Sequence, residues 1–386
     1  MTPRARTHLH AVDLMRVLTV ALVVGVHTVT HSAVSDSLAA GALTIVLHTS
    51  REVFFVLTAL VLMHGYGRRR VRWLGFWRRR YLCVAVPYLA WTVIYIVADG
   101  HAADPLGSLL ARLGTDLLFG GAKYQMYFLL VSMQIYLCFP VIRWVIRATA
   151  GHHRLLVGAC AIFQLGFALA VRLQWSPGGV ITAWVHGPDA VLPSYLLYVI
   201  AGGVAAWHLE AFTAWTLAHR RHVLGGAALT AAAGVVVFLL ERLALGQTTV
   251  AASGVFQPVV VLESLAVAWT FFLAGSVWAE RGSPARRTVH AVSDATFGVY
   301  LAHPLVLMGI YWATAATGLW VGSQRLPAAL VLFVAVGVVV PLVYAVAALP
   351  ALLLRSTPLS LAAGGRPRRR GRTAARGHTT ADAVAA

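Results

Sequence analysis

Residues 13–32 read DLMRVLTVALVVGVHTVTHS, an apolar run long enough to enter a bilayer that nevertheless carries Asp13, Arg16 and His27. An α-helix turns about 100° and rises about 1.5 Å per residue, so Arg16 and His27 fall within roughly 20° of each other and about 16 Å apart along the axis. Asp13 lies on the same stripe, within about 60°. Ionisable groups at membrane depth cost on the order of 2.5 kcal/mol or more each and usually face a protein interior or a watery cavity. The stripe therefore marks a candidate site. Three structural roles stay open beside it: Arg16 snorkelling to the surface, Asp13 acting as an N-cap, and His27 lying at the outer headgroups.

The rest of the chain has the same character. Its 386 residues are 59% hydrophobic and 11% charged, with a mean hydropathy of +0.76, outside the balance of a soluble domain. The formal net charge of +18 reports topology and contact with anionic lipid rather than nucleic acid. Arg4 and Arg6 before an apolar run imitate a secretory leader, but no A-x-A-like cleavage site follows, so the run is read as the first spanning helix. Cys83, Cys138 and Cys160 sit inside apolar runs without metal-ligand spacing and read as small buried hydrophobes.

Windows of about 20 apolar residues predict an all-α polytopic membrane protein with ten spans, near 13–31, 43–64, 82–98, 124–146, 155–172, 190–207, 222–241, 258–279, 291–312 and 327–353. With a cytoplasmic N-terminus, the even-numbered connections hold Arg68, Arg69, Arg70, Arg72, Arg78, Arg79, Arg80, Arg143, Arg147, Arg154, Arg220, Arg221, Arg281, Arg286 and Arg287. The odd-numbered connections carry far fewer basic residues. This asymmetry places both termini in the cytoplasm of a multi-pass protein of the cell (inner or plasma) membrane. The organisation is a membrane domain over 1–363 and a basic, disordered cytoplasmic tail over 364–386. No internal repeat is visible, which counts against the inverted halves of secondary transporters.

Polar residues recur at depth. His48, Arg51 and Glu52 share one face of the second span and form a candidate polar knot. His303 sits beside Pro304, whose missing N–H frees a backbone carbonyl in mid-span, and becomes a second candidate for the same cavity. Glu263 and Gln134 read as helix-to-helix hydrogen bonds. The loop 65–81, GYGRRRVRWLGFWRRRY, holds seven arginines. It suits topology and lipid anchoring through Trp73 and Trp77, and equally a forked guanidinium site for a polyphosphate ligand. No nucleotide-binding glycine motif and no nucleophile elbow appears, and the histidines lack the ligand spacing a metal would need.

Four blocks together carry a resemblance. Asp13-x-x-Arg16 with His27; Val53-Phe54-Phe55-Val56-Leu57-Thr58-Ala59; Phe76-Trp77-Arg78-Arg79-Arg80 running to Pro87-Tyr88; and Phe297-Gly298-Val299-Tyr300-Leu301-Ala302-His303-Pro304 resemble the membrane acyltransferase family 3 from about residue 9 to 350. Thr58-Ala59 stands where the family often has Ser-Gly, and Cys83 where its R-x-x-R pattern has a second arginine. The resemblance implies a ten-helix inner-membrane enzyme that moves an acyl group, commonly acetyl from acetyl-CoA, to a hydroxyl of a sugar, glycan or other small acceptor. It implies His27 as the catalytic histidine, Arg16 as its arginine partner, and Arg79 and Arg80 as the basic residues before the third span.

That chemistry matches the residues. A neutral imidazole can take the acceptor proton as oxygen attacks a thioester, and a cation or hydrogen-bond donor must meet the resulting oxyanion. The expectation is His27 as general base, Arg16 as electrostatic stabiliser or binder of the CoA arm, Asp13 as partner of Arg16, and Arg79 and Arg80 as phosphate contacts. His303, Arg51 and His48 are possible cavity residues, with acyl-CoA, acetyl-CoA foremost, as donor substrate and no bound cofactor or metal. The competing readings are a transporter or flippase for a glycan or lipid-linked intermediate, and a structural or regulatory membrane protein without activity.

Overall fold

The computed structural model describes residues 10–364; the basic tail, apart from Gly364, lies outside the described residues. Its helices, in chain order, are α1 (His10–Thr30), α2 (Leu38–Leu47), α3 (Ser50–Tyr66), α4 (Trp73–Ala98), α5 (Leu106–Phe119), α6 (Tyr127–Ala148), α7 (His153–Arg172), α8 (Gly179–His186), α9 (Leu196–Trp207), α10 (Leu209–Ala218), α11 (Arg220–Leu239), α12 (Thr249–Ala252), α13 (Pro258–Glu280), α14 (Arg286–Ala316), α15 (Leu319–Gln324), α16 (Ala328–Val334) and α17 (Val340–Leu353). The described chain is 81% helical and contains no strand.

Nine helical segments among the described residues are long and apolar enough to cross a membrane, and the pair Leu192–Trp207 and Leu209–Ala218 makes a tenth if counted as one span. This is a polytopic all-α membrane protein. The sixth span differs from the straight helix the sequence suggests, because its two halves meet at 94°. At the elbow, His153 and His208 share a hydrogen bond of 2.8 Å. The second span is broken at His48–Thr49, where His48 Nδ1 bonds the Ser253 carbonyl at 2.6 Å. The fourth span, α6, starts at Tyr127, so 120–126 is a loop and not helix.

Within hydrocarbon every polar group needs an internal partner. Thr19 and Thr28 of α1 therefore bond back to the Met15 and Val24 carbonyls at 2.7 Å. Where helices cross, small residues admit the neighbouring backbone. A Cβ on Gly202 would lie 2.1 Å from the Val56 carbonyl oxygen, and one on Gly275 would lie 2.3 Å from that of Ala11, which fixes α9 against α3 and α13 against α1. Trp77 and Tyr81 of α4 donate to the Tyr136 and Met133 carbonyls of α6, both at 2.9 Å. The outward faces carry Leu82, Leu89, Val93 and Val97 of α4, as a lipid-facing surface requires.

Two sequence readings need correction here. Cys83 faces outward rather than inward; only Cys160 is buried, and all three cysteines are free. Gln134 does bridge elements, donating to the Ala190 carbonyl at 2.7 Å and accepting from Leu192 N–H at 2.8 Å. Glu263, by contrast, is buried with neither carboxylate oxygen hydrogen-bonded among the described residues. It lies against the bare backbone of Gly234 in α11, where a Cβ would come within 3.0 Å of Oε2, so it packs against a helix that offers no side-chain donor there.

Candidate active site

Pro304 cannot donate to the carbonyl four residues back, so the helix α14 leaves the Tyr300 oxygen without its usual partner. His303 Nδ1 fills that position at 2.8 Å. Because a carbonyl only accepts, Nδ1 carries the proton and a neutral His303 has its lone pair on Nε2. Nε2 is buried without a hydrogen-bond partner among the described residues. The imidazole stacks on that of His27, ring centroids 5.4 Å apart and planes 22° apart.

His27 is half-buried, near the end of α1, and lines a cavity of about 450 Å³. Its ring makes no hydrogen bond among the described residues, while Tyr124 packs on it with centroids 4.2 Å apart. Tyr124 comes from the loop 120–126. Gly120 ends α5 in the left-handed conformation at φ 71°, and a Cβ there would lie 2.4 Å from the Tyr127 Cα, so only glycine lets the loop fold this closely against α6. Burial pushes the Tyr124 phenol up, so it keeps its proton and remains a hydrogen-bond donor.

The opposite wall is polar. His48, Ser50 and Arg51 line it, with Gln125, Tyr127 and Asp189. Arg51 Nε pairs with Glu52 and its Nη1 with Asp189 at 2.6 Å and Tyr127 at 3.3 Å. Its guanidinium also lies over the Phe256 ring, 4.2 Å from the centroid. Arg51 Nη2 is buried and has no hydrogen-bond partner among the described residues.

Arg16, Arg79 and Arg80 occupy the other end of the bundle. Arg16 Nη1 is 3.6 Å from Asp13, which accepts from Ser293 Oγ at 3.2 Å and lies 3.7 Å from His290, so the start of α1 is tied to the start of α14. Arg80 packs over the rings of Tyr66, Phe76 and Tyr136, with centroids 5.7 to 5.9 Å away. The Tyr136 hydroxyl is within electrostatic reach of both Arg80 and Arg16. Arg79, one residue earlier, turns outward and is exposed. Other arginines in this region hold the fold: Arg143 donates to the Gly67 and Arg69 carbonyls at 3.0 and 2.7 Å, and Arg68 to that of Trp207 at 3.2 Å.

The structure thus gathers His27, His303, His48 and Arg51 at one end, and Asp13, Arg16 and Arg80 at the other. Lys123, Tyr124, Gln125, Tyr127 and Asp189 were not singled out from sequence. Lys123 carried a signal, being the only lysine in the chain. Among the described residues, no group of three or more His, Cys, Asp or Glu side chains could hold a metal ion.

No curated protein and no solved structure matches the chain. A family profile described as an acyltransferase domain does match, over residues 9–347, nearly the whole chain. With that coverage and a helical bundle built around a histidine-bearing cavity, the chain belongs to the acyltransferase 3 family.

Proposed function

We propose that this membrane acyltransferase takes an acyl group from acyl-CoA, bound at the Arg16 and Arg80 end, and transfers it to a hydroxyl of a sugar, glycan or other small acceptor in the polar cavity. The observation that carries the reading is the His27 ring. It faces a polar cavity and has no hydrogen bond among the described residues, backed by a stacked histidine and flanked by a phenol that keeps its proton.

His27 takes the acceptor O–H proton as that oxygen attacks the thioester carbonyl carbon. The carbonyl becomes an oxyanion, for which Tyr124 stands beside His27 as a hydrogen-bond donor. The C–S bond then breaks, and the departing thiolate takes the proton from the imidazolium. Arg16 lies about 16 Å along α1 from His27, too far to touch that oxyanion, so its task is the CoA arm. Arg51, with one guanidinium nitrogen unpartnered among the described residues, and Asp189 supply polar contacts to the acceptor. In this reading the arginine-bearing end and both termini are cytoplasmic.

The test is release of free CoA from acyl-CoA by membranes matched for protein level. His27→Ala should lower turnover by about 10²- to 10⁴-fold while acyl-CoA still binds. A carrier of glycans or lipid-linked intermediates would release no CoA in either form. Orientation is checked by an impermeant thiol reagent on a background lacking the three cysteines: a cysteine placed at Arg70 should escape labelling in intact cells, and one at Gly178 should react.

A further inference from the structure

Beside the polar cavity lies a second one of about 670 Å³, open on one side, between the C-terminal half of α14, the short helix α15 and the span that begins with α16. Its inner end is formed by Thr28, His31 and Tyr124, and the remainder by apolar side chains such as Trp320, Leu326, Leu330 and Val334. Tyr124 and Lys123 wall both cavities. The His27 carbonyl is bonded to His31 Nδ1 at 2.8 Å, so the apolar cavity opens one helical turn beyond the proposed base.

Resting on the acyl-CoA reading above, we infer that this apolar cavity receives the hydrocarbon chain of the donor, so that the group transferred is a fatty or branched acyl chain rather than acetyl. The argument is directional. Arg16, His27 and Thr28 follow one another along α1, each residue rising about 1.5 Å, and His31 is the first residue past its end. A CoA arm that passes Arg16 and brings its thioester to His27 continues, on the far side of the carbonyl, toward Thr28 and His31. The attacking hydroxyl arrives from the polar cavity on the Arg51 side, leaving the apolar one to the chain. The cavity falls within the range of about 300–1,000 Å³ typical of small-molecule sites. An acetyl methyl would touch almost none of these apolar walls, whereas each methylene buried there should tighten binding by about fourfold.

The test uses the purified protein in phospholipid nanodiscs and non-hydrolysable thioether analogues of acetyl-, butyryl-, hexanoyl- and octanoyl-CoA, with CoA itself as reference, followed by calorimetry. Affinity should rise with chain length until the cavity is filled. Gly322 lines the cavity and a Cβ there meets nothing within 4 Å, so Gly322→Phe should place a ring in the space and shift the preference to shorter chains. Gly309→Phe, which also has free space but lies outside the cavity lining, should leave the preference unchanged. If CoA and all analogues bind equally, or Gly322→Phe leaves the chain-length series unaltered, the cavity holds some other hydrocarbon and the inference falls while the donor reading stands. If neither CoA nor any analogue binds, the donor reading fails and takes this inference with it.

Discussion

His27 and His303 face each other as stacked imidazoles 5.4 Å apart, although 276 residues separate them in the chain. His303 is anchored through Nδ1 to the carbonyl that Pro304 leaves open, so its ring cannot rotate without exposing a buried acceptor. It acts as a fixed platform that positions His27.

This arrangement predicts an ordered pair of defects. His303→Phe keeps the stack but loses the bond to Tyr300, which should cost about 1–3 kcal/mol of stability and lower turnover less than His27→Ala does. The slope of turnover against pH below neutrality, where a protonated base is inactive, should survive in His303→Phe and vanish in His27→Ala. Loss of that slope in His303→Phe alone would make His303 the base.

The Arg51 cluster predicts a separation of folding from acceptor binding. Arg51 is paired with buried Glu52, and truncating it to Met strands a charge, at a cost of about 3–5 kcal/mol visible as a lowered Tm in detergent. Asp189 is half exposed, so Asp189→Asn should cost less than about 1 kcal/mol and chiefly raise the acceptor KM. An unchanged KM in Asp189→Asn would remove the Arg51 wall from acceptor recognition.

The adjacent arginines predict unequal effects at the other end. Arg80 is held over three rings, whereas Arg79 points outward. Lysine keeps the charge and loses the planar fork, so Arg80→Lys should raise the acyl-CoA KM with kcat little changed, the pattern of contacts made equally in ground and transition states. Arg79→Lys should change neither. Equal effects from both substitutions would point to charge alone.

Glycine positions predict opposite stability changes. Gly202→Ala forces a methyl against the Val56 carbonyl and should destabilise by about 1–3 kcal/mol. Gly225→Ala, in α11 with open space around it, should stabilise by about 0.5–1 kcal/mol through helix propensity. Thermal inactivation of the two variants side by side checks the sign of each.

Much of the fold is legible in sequence because each span must satisfy its own backbone, so hydropathy windows recover the long membrane-crossing helices with boundary shifts, but not α5, α8, α10, α12 and α15, which fall in the stretches read as connections. The 94° elbow near His208 is not legible, since the sequence there stays apolar and helical on both sides and only packing decides the angle. In the site, periodicity aligns Arg16 with His27 on one helix, and Pro304 draws attention to His303. It cannot show that the two histidines meet, because the rotation of α14 against α1 is set by tertiary contact. The window that begins at 124 takes Tyr124 into a span because YQMYF is apolar enough to pass; Gly120 and Gly121 before it, and the lone Lys123, are the marks of the loop it belongs to.

The loop 120–126 makes one wall serve two chambers, since Lys123 and Tyr124 border both. A substitution at either position therefore cannot reshape one chamber and spare the other. On the assignment proposed above, selection acting on what fills the polar space would drag along what fits the apolar one, and the two specificities would be inherited as a linked trait. An engineer who wants to change one partner alone must work from the far walls, at Gly322 or at Asp189, and leave this short segment intact.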